Sequence, residues 1–208
     1  MEEKIFHSKS GKVLKYLYSA PLTEKILPLI IYIHGAGSRG DNLESLKSNA
    51  GICHILEKAE SKAIIVAPQC YADTWFELYE ALLEFIEKMR NQESIDKNRI
   101  YITGASMGGY TTWQLCMSRP EWFAAAVPIC GGGMYWNAVR LKDLPIWAFH
   151  GALDKVVYPE ESVKMVEAVN RNGGSAKLTI FPEDSHNSWD STYQTEEMWE
   201  WLFNQKRG

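Results

Sequence analysis

The segment Gly104-Ala105-Ser106-Met107-Gly108 constrains the fold more than any other stretch of this chain. An apolar run, Arg99-Ile100-Tyr101-Ile102-Thr103, leads into it, and a helix-like run, Gly109 to Met117, leads out. A serine between a strand and a helix must turn sharply, and its backbone is strained there. The small flanking residues let neighbouring chains come close. In this context the Gly-x-Ser-x-Gly pattern reads as a nucleophile elbow. Without the context it is a tight turn with an exposed serine.

The rest of the chain supplies the context. Strands are predicted at Val13 to Tyr18, Leu27 to Ile33, Ala63 to Ala67, Arg99 to Thr103, Ala124 to Ile129, Ile146 to Phe149 and Lys177 to Phe181. Several are continuous branched apolar runs, as expected of strands covered on both faces. A short turn is expected at Pro21 to Lys25, and partial helix over Asn42 to Glu60. Trp75, Phe76, Tyr79, Leu82, Leu83, Ile86 and Met89 recur every three or four residues, which predicts an amphipathic helix. Further helices are predicted over Glu160 to Asn170, stopped by Asn172-Gly173-Gly174, and over Thr195 to Asn204. Alternating strands and helices imply a three-layer α/β/α sandwich with a mostly parallel, doubly wound sheet. The 208 residues suit one domain over 1–208. In such sheets the ligand crevice lies at the carboxyl ends of the strands. Ser106, His34-Gly35, His150-Gly151 and the loop after Phe181 all fall at that edge.

A net charge of -4, with no basic stripe, argues against nucleic acid as a partner. The longest apolar stretch, Ile26 to Ile33, is too short to cross a bilayer, so no membrane role is expected. Met1-Glu2-Glu3-Lys4 is not followed by an apolar signal core, which makes the cytoplasm the default compartment. Cys53, Cys70, Cys116 and Cys130 lack metal-type spacing and read as buried free thiols.

A serine hydroxyl needs a base within hydrogen-bond reach. Of five histidines, His7 and His54 read as surface or structural, and His34 and His150 as loop ties at strand ends. His186 follows the final strand inside a loop, where a base belongs in the chain order serine, acid, histidine. Asp154, just past the strand at Ile146 to Phe149, is the preferred acid, because a triad acid usually comes from a separate loop. Asp184 and Asp190 are rivals by sequence proximity. The oxyanion requires two preorganised N–H donors. Met107, after the serine, and Ala36, in the loop His34-Gly35-Ala36-Gly37, are the candidates. That loop alone could cradle a phosphate, but it lacks the Lys-Ser/Thr ending of a P-loop.

Together these residues resemble the α/β-hydrolase superfamily. The nearer likeness is to small carboxylesterases, phospholipase/carboxylesterase-like and dienelactone hydrolase-like proteins, and prolyl-oligopeptidase-type serine hydrolases. The matching segments are Ile33 to Gly37, Gly104 to Tyr110, His150 to Asp154 and His186 to Trp189, with the helix around Trp199-Glu200-Trp201-Leu202. The resemblance runs from about residue 27 onward. It departs in two places. The N-terminal part is short, so the first strands of the full fold are expected to be missing. Only about fourteen residues separate Cys130 from Pro145, where many relatives insert a lid, so the expected fold is a minimal version without a lid domain.

The resemblance implies a serine hydrolase acting on carboxylic esters, with Ser106, His186 and Asp154 as its triad and an open, lidless site. Small-molecule or sugar-linked esters are the expected substrates, with no cofactor and no metal. Trp75, Trp136 and Trp189, near Phe76, Met134 and Tyr135, could wall an aromatic or sugar-binding cleft, or they could be aromatic core at loop bases. Arg39 and Asp41 read as braces of the oxyanion loop. A prolyl-oligopeptidase-type peptidase is the nearest alternative, and a non-catalytic hydrolase-fold binding protein is one of another class. The acyl group, the alcohol and the oligomeric state are not readable from sequence.

Overall fold

The computed structural model describes residues 1–23 and 25–208. Eight strands form one sheet in the order β1-β2-β4-β3-β5-β6-β7-β8. They are β1 Glu2–His7, β2 Val13–Ser19, β3 Leu27–Ile33, β4 Ile64–Pro68, β5 Ile95–Ala105, β6 Ala125–Ile129, β7 Trp147–Gly151 and β8 Lys177–Phe181. From β4 to β8 neighbouring strands run parallel. β1 and β2 join the edge antiparallel. The helices are α1 Glu44–Lys47, α2 Ala50–Ala59, α3 Tyr79–Arg90, α4 Met107–Ser118, α5 Glu160–Arg171, α6 Trp189–Gln194 and α7 Glu196–Asn204.

Alternation along the central strands divides the core. Leu29, Ile31 and Ile33 of β3 pack with Phe85 and Ile86 of α3, Trp113 and Leu115 of α4, and Met165 and Val169 of α5. Ile30 and Tyr32 point the other way, against Ile52 and Ile55 of α2 and Trp199 and Leu202 of α7. Both faces of the parallel strands are therefore covered, which is why their sequences are apolar without alternation. The three-layer α/β/α sandwich is as predicted.

The expectation that the first strands are missing is overturned. β1 pairs with β2 along its full length, from Glu2 opposite Tyr18 to His7 opposite Val13. It escaped notice because it is an edge strand with one buried side chain, Phe6. The turn expected at Pro21 to Lys25 includes Glu24, which lies outside the described residues. Cys70, Cys116 and Cys130 are buried free thiols as expected, whereas Cys53 is an exposed one. Among the described residues no helix is long and apolar enough to cross a membrane. The segment between β6 and β7 holds a short 3-10 helix, Tyr135–Leu141, and no inserted domain.

Candidate active site

Registers in the sheet bring the functional loops to one edge. Ile33 pairs beside Gly104, Ala105 beside Ile129, and Gly151 beside Phe181. The chain leaves each of these strands into a loop or turn at the same end, so residues far apart in sequence converge.

Ser106 caps α4 with φ 57° and ψ -120°, a region costly for any residue with a Cβ. The turn is enforced by close packing beneath it. A Cβ on Gly108 would lie 1.9 Å from the Ile33 carbonyl oxygen, and one on Gly104 would lie 2.6 Å from the same atom. Neither distance is tolerable, so the glycines allow β3, β5 and α4 to approach closely enough to hold the elbow. Ser106 N–H donates to the Ile129 carbonyl at 3.0 Å, tying the turn to β6.

His186 Nε2 lies 2.9 Å from Ser106 Oγ, and His186 Nδ1 lies 2.7 Å from Asp154 Oδ2. Since the carboxylate only accepts, Nδ1 carries the hydrogen and Nε2 presents its lone pair to the serine hydroxyl. The imidazole is 22% exposed and the Asp154 carboxylate fully covered, so the chain runs from the surface into the protein. Burial works to raise the Asp154 pKa. Hydrogen bonds from His186 and from the Val157 and Val156 N–H groups outweigh it and hold the acid below its ordinary range. Both N–H groups reach Oδ1, at 2.8 and 3.0 Å. Neither rival acid bonds His186. Asp190 faces His54 and the Asn187 amide, and the buried Asp184 Oδ2 has no hydrogen-bond partner among the described residues.

The loop after β3 leans over the serine. A Cβ on Gly35 would come within 3.4 Å of Ser106 Cβ, so Ala36, the next residue, is held close to Ser106. His34 anchors this loop. Its Nε2 accepts from the Cys70 N–H at 3.0 Å and its Nδ1 lies 2.7 Å from the Gly35 carbonyl. Burial pushes the His34 pKa down to about 4, so the ring is neutral. Arg39 ties the same loop to the Asp73 carbonyl at 2.7 Å. Met107 opens α4, where the first N–H groups have no partner within the helix.

Trp75 is not where the sequence put it. It is fully buried, and its indole N–H donates to the His34 carbonyl at 3.0 Å. It presents no surface to a substrate and props the loop after β3 instead. Position along a chain does not reveal which way an indole points. Trp189 is half-buried and meets His186 edge-on at 5.7 Å. Trp136 stands 71% exposed at the start of the β6–β7 connection. Sequence reasoning missed an open cavity of about 760 Å³ lined by Phe76, Tyr79, Tyr110, Gln114 and Met134, among others. Tyr110 lies one helical turn beyond Ser106. The signal available was its place in the elbow helix.

Cys130, Asp154 and His186 offer ligand-type atoms within 4.8 Å of one another. They do not suit a metal ion. Burial pushes the Cys130 thiol up to about 12, so it stays protonated, and the other two are spent on each other.

A solved structure described as a thermostable esterase is 34% identical, with a TM-score of 0.90 over 99% of this chain and 63% of that one. A protein named "Probable feruloyl esterase C" from Aspergillus niger is 27% identical over 169 residues, 79% of this chain and 63% of its own length. The acylaminoacyl peptidase of Pyrococcus horikoshii shares the fold at 18% identity and a TM-score of 0.73, covering 100% of this chain and 42% of that one. The chain thus spans less than two thirds of the length of these relatives. Residues 77–143 and 133–207 match the model of the prolyl oligopeptidase family. With the α/β-hydrolase fold and a match over more than half its length, the chain belongs to the prolyl oligopeptidase family.

Proposed function

We propose that the chain is a serine hydrolase that cleaves carboxylic esters through an acyl-enzyme. One observation carries this reading. An unbroken line of hydrogen bonds runs from Ser106 Oγ through His186 to a buried, ionised Asp154. Ser106 attacks the ester carbonyl as His186 Nε2 takes its proton. Asp154 keeps the imidazole in the required tautomer and stabilises its positive form. The N–H groups of Ala36 and Met107 receive the oxyanion. His186 then protonates the departing alcohol, and water repeats the sequence on the acyl-enzyme. Every step uses side chains and backbone of this chain, and none needs a cofactor.

Esters rank ahead of peptides because the likeness to the thermostable esterase is the stronger, at 34% identity and a TM-score of 0.90. The cavity by Tyr110 is walled by Phe76, Tyr79 and Met134, with Gln114 as a hydrogen-bonding group. Such walls favour a flat aromatic or apolar portion of a small or sugar-linked ester. Trp136 and Trp189 are proposed as the rim of that cleft. The cytoplasm is the proposed compartment, in keeping with four unpaired thiols.

A peptidase reading draws on the family itself and on the fold shared with the acylaminoacyl peptidase. Steady-state rates on p-nitrophenyl acetate and on a prolyl-anilide decide between them. The ester is expected to turn over and the anilide to lag by orders of magnitude. A faster anilide rate would favour the peptidase.

A further inference from the structure

His150 is fully buried two strands away from Ser106, at the end of β7, and the steps above do not use it. Its surroundings can be resolved by counting hydrogens. Nε2 lies 2.9 Å from the Val157 carbonyl and 3.2 Å from Asp154 Oδ2. Both are acceptors, so Nε2 carries a hydrogen in either charge state of the ring. Nδ1 lies 2.7 Å from Ser162 Oγ on α5, and that hydroxyl is also 3.0 Å from the Gly131 carbonyl. The single hydroxyl hydrogen can satisfy the ring nitrogen or the carbonyl. Donation to the ring nitrogen fits the neutral imidazole, whereas donation to the carbonyl requires Nδ1 to carry a hydrogen and donate to the hydroxyl oxygen. In each case Nε2–H points to the Val157 carbonyl, beside the acid.

Asp154 Oδ1 takes the Val156 and Val157 N–H groups, and Oδ2 takes His186 Nδ1–H. His150 Nε2–H donates to the Val157 carbonyl at 2.9 Å, and the same nitrogen lies 3.2 Å from Asp154 Oδ2. The buried ring therefore braces both the turn that feeds Oδ1 and the oxygen that faces His186.

We propose that His150 is a positioning residue, whose buried Nε2–H bonds the Val157 carbonyl beside Asp154 Oδ2 and so holds the acid's turn at the angle that aims the carboxylate at His186. The inference rests on Asp154 being the acid of the proposed triad. Among the described residues, Asp154 carries the only charged atom paired with the His150 ring. His186 lies beyond that carboxylate. Glu161, beside Ser162 on α5, faces the Tyr110 hydroxyl at 3.3 Å instead.

The test pairs kinetics with an NMR titration of histidine-labelled protein, which reads His186 without needing a substrate. His150→Phe keeps the ring volume and removes both nitrogens. The expected result in folded protein is a fall in kcat of roughly 10-fold, the lower end of the range for residues that orient the ligands of metal sites, with KM little changed. The His186 titration is expected to move upward, because a carboxylate that has lost the nearby Nε2–H pulls harder on the remaining proton. His150→Gln, whose amide can reach the Nε2 position, is expected to recover most of the rate. If His150→Phe does not fold, Ser162→Ala carries the test, with a smaller loss of about 3-fold for one hydrogen bond and a shift of the same sign. An unchanged His186 titration and kcat in folded variants would overturn the proposal. Equal losses in the Gln and Phe variants would overturn it too, because packing alone would explain them. If the wild type hydrolyses no ester, the esterase reading fails on its own, and the titration still reports on His150.

Discussion

The inner ring of the site and its outer rim are built on opposite terms. Around Ser106, His186 and Asp154, the polar atoms have named partners at 2.7 to 3.2 Å, and the acid is sealed from solvent. A few residues outward, Phe76, Trp136, Val156 and Tyr158 are 52 to 71% exposed. The ring holds its geometry through several independent elements, so any one side chain is constrained from two or three sides. The rim side chains stand largely in solvent. Chemistry is therefore expected to be intolerant of change here, and selectivity to be adjustable without loss of the fold.

The largest break in that comparison comes from the nucleophile. Ser106→Ala is expected to reduce kcat by about 10⁶-fold, the scale seen for another serine enzyme, with an unchanged circular dichroism spectrum. Asp154→Asn is expected to cost about 10⁴-fold, because an amide facing Nδ1 favours the wrong imidazole tautomer. Steady-state assays on p-nitrophenyl acetate read both. Losses below 10-fold in either variant would mean that the ring is not the reacting centre.

A third effect tests the anchor beneath the ring. Burial lowers the His34 pKa from its ordinary 6.5 to about 4. Between those values the unfolded chain binds a proton that the folded chain refuses, so stability falls as the pH drops from about 6.5 to 4. The loss amounts to about 3 kcal/mol from this group alone. Urea melts across that range measure it. His34→Asn is expected to flatten the slope, and an undiminished slope would assign the acid sensitivity elsewhere.

The smallest effect is expected at the rim. Trp136→Ala removes a side chain 71% exposed, so the melting midpoint is expected to move by no more than about 0.5 kcal/mol in stability. Hydrolysis of p-nitrophenyl acetate is expected to hold within about 3-fold, while KM for a bulky aromatic ester rises. A collapse of activity on the small ester would dissolve the distinction between ring and rim.

What was legible in sequence divides along the same line. The strands β3 and β8 were read to the residue because burial on both faces, or a clear branched run, leaves an unbroken signature. The elbow was legible because two glycines, Gly104 and Gly108, are demanded by contacts with the Ile33 carbonyl. β1 was lost because an edge strand buries a single side chain. Trp75 was misplaced because its orientation depends on the His34 carbonyl, which only the fold brings near. The link from His150 to Asp154 was hidden for a similar reason. The spacing of four residues was visible, but Ser162 and the Val157 carbonyl, which aim the ring, are brought in by α5 and the loop after β7.

Ser106 is expected to be the nucleophile that takes the acyl group, and a fluorophosphonate reads this by phosphonylating the same hydroxyl with loss of fluoride. The direct measurement is intact mass spectrometry of the protein treated with a fluorophosphonate probe, followed by peptide mapping. One adduct per chain on Ser106, absent from Ser106→Ala and slowed in Asp154→Asn, is the predicted result. No adduct, or an adduct on any other residue, would contradict the account.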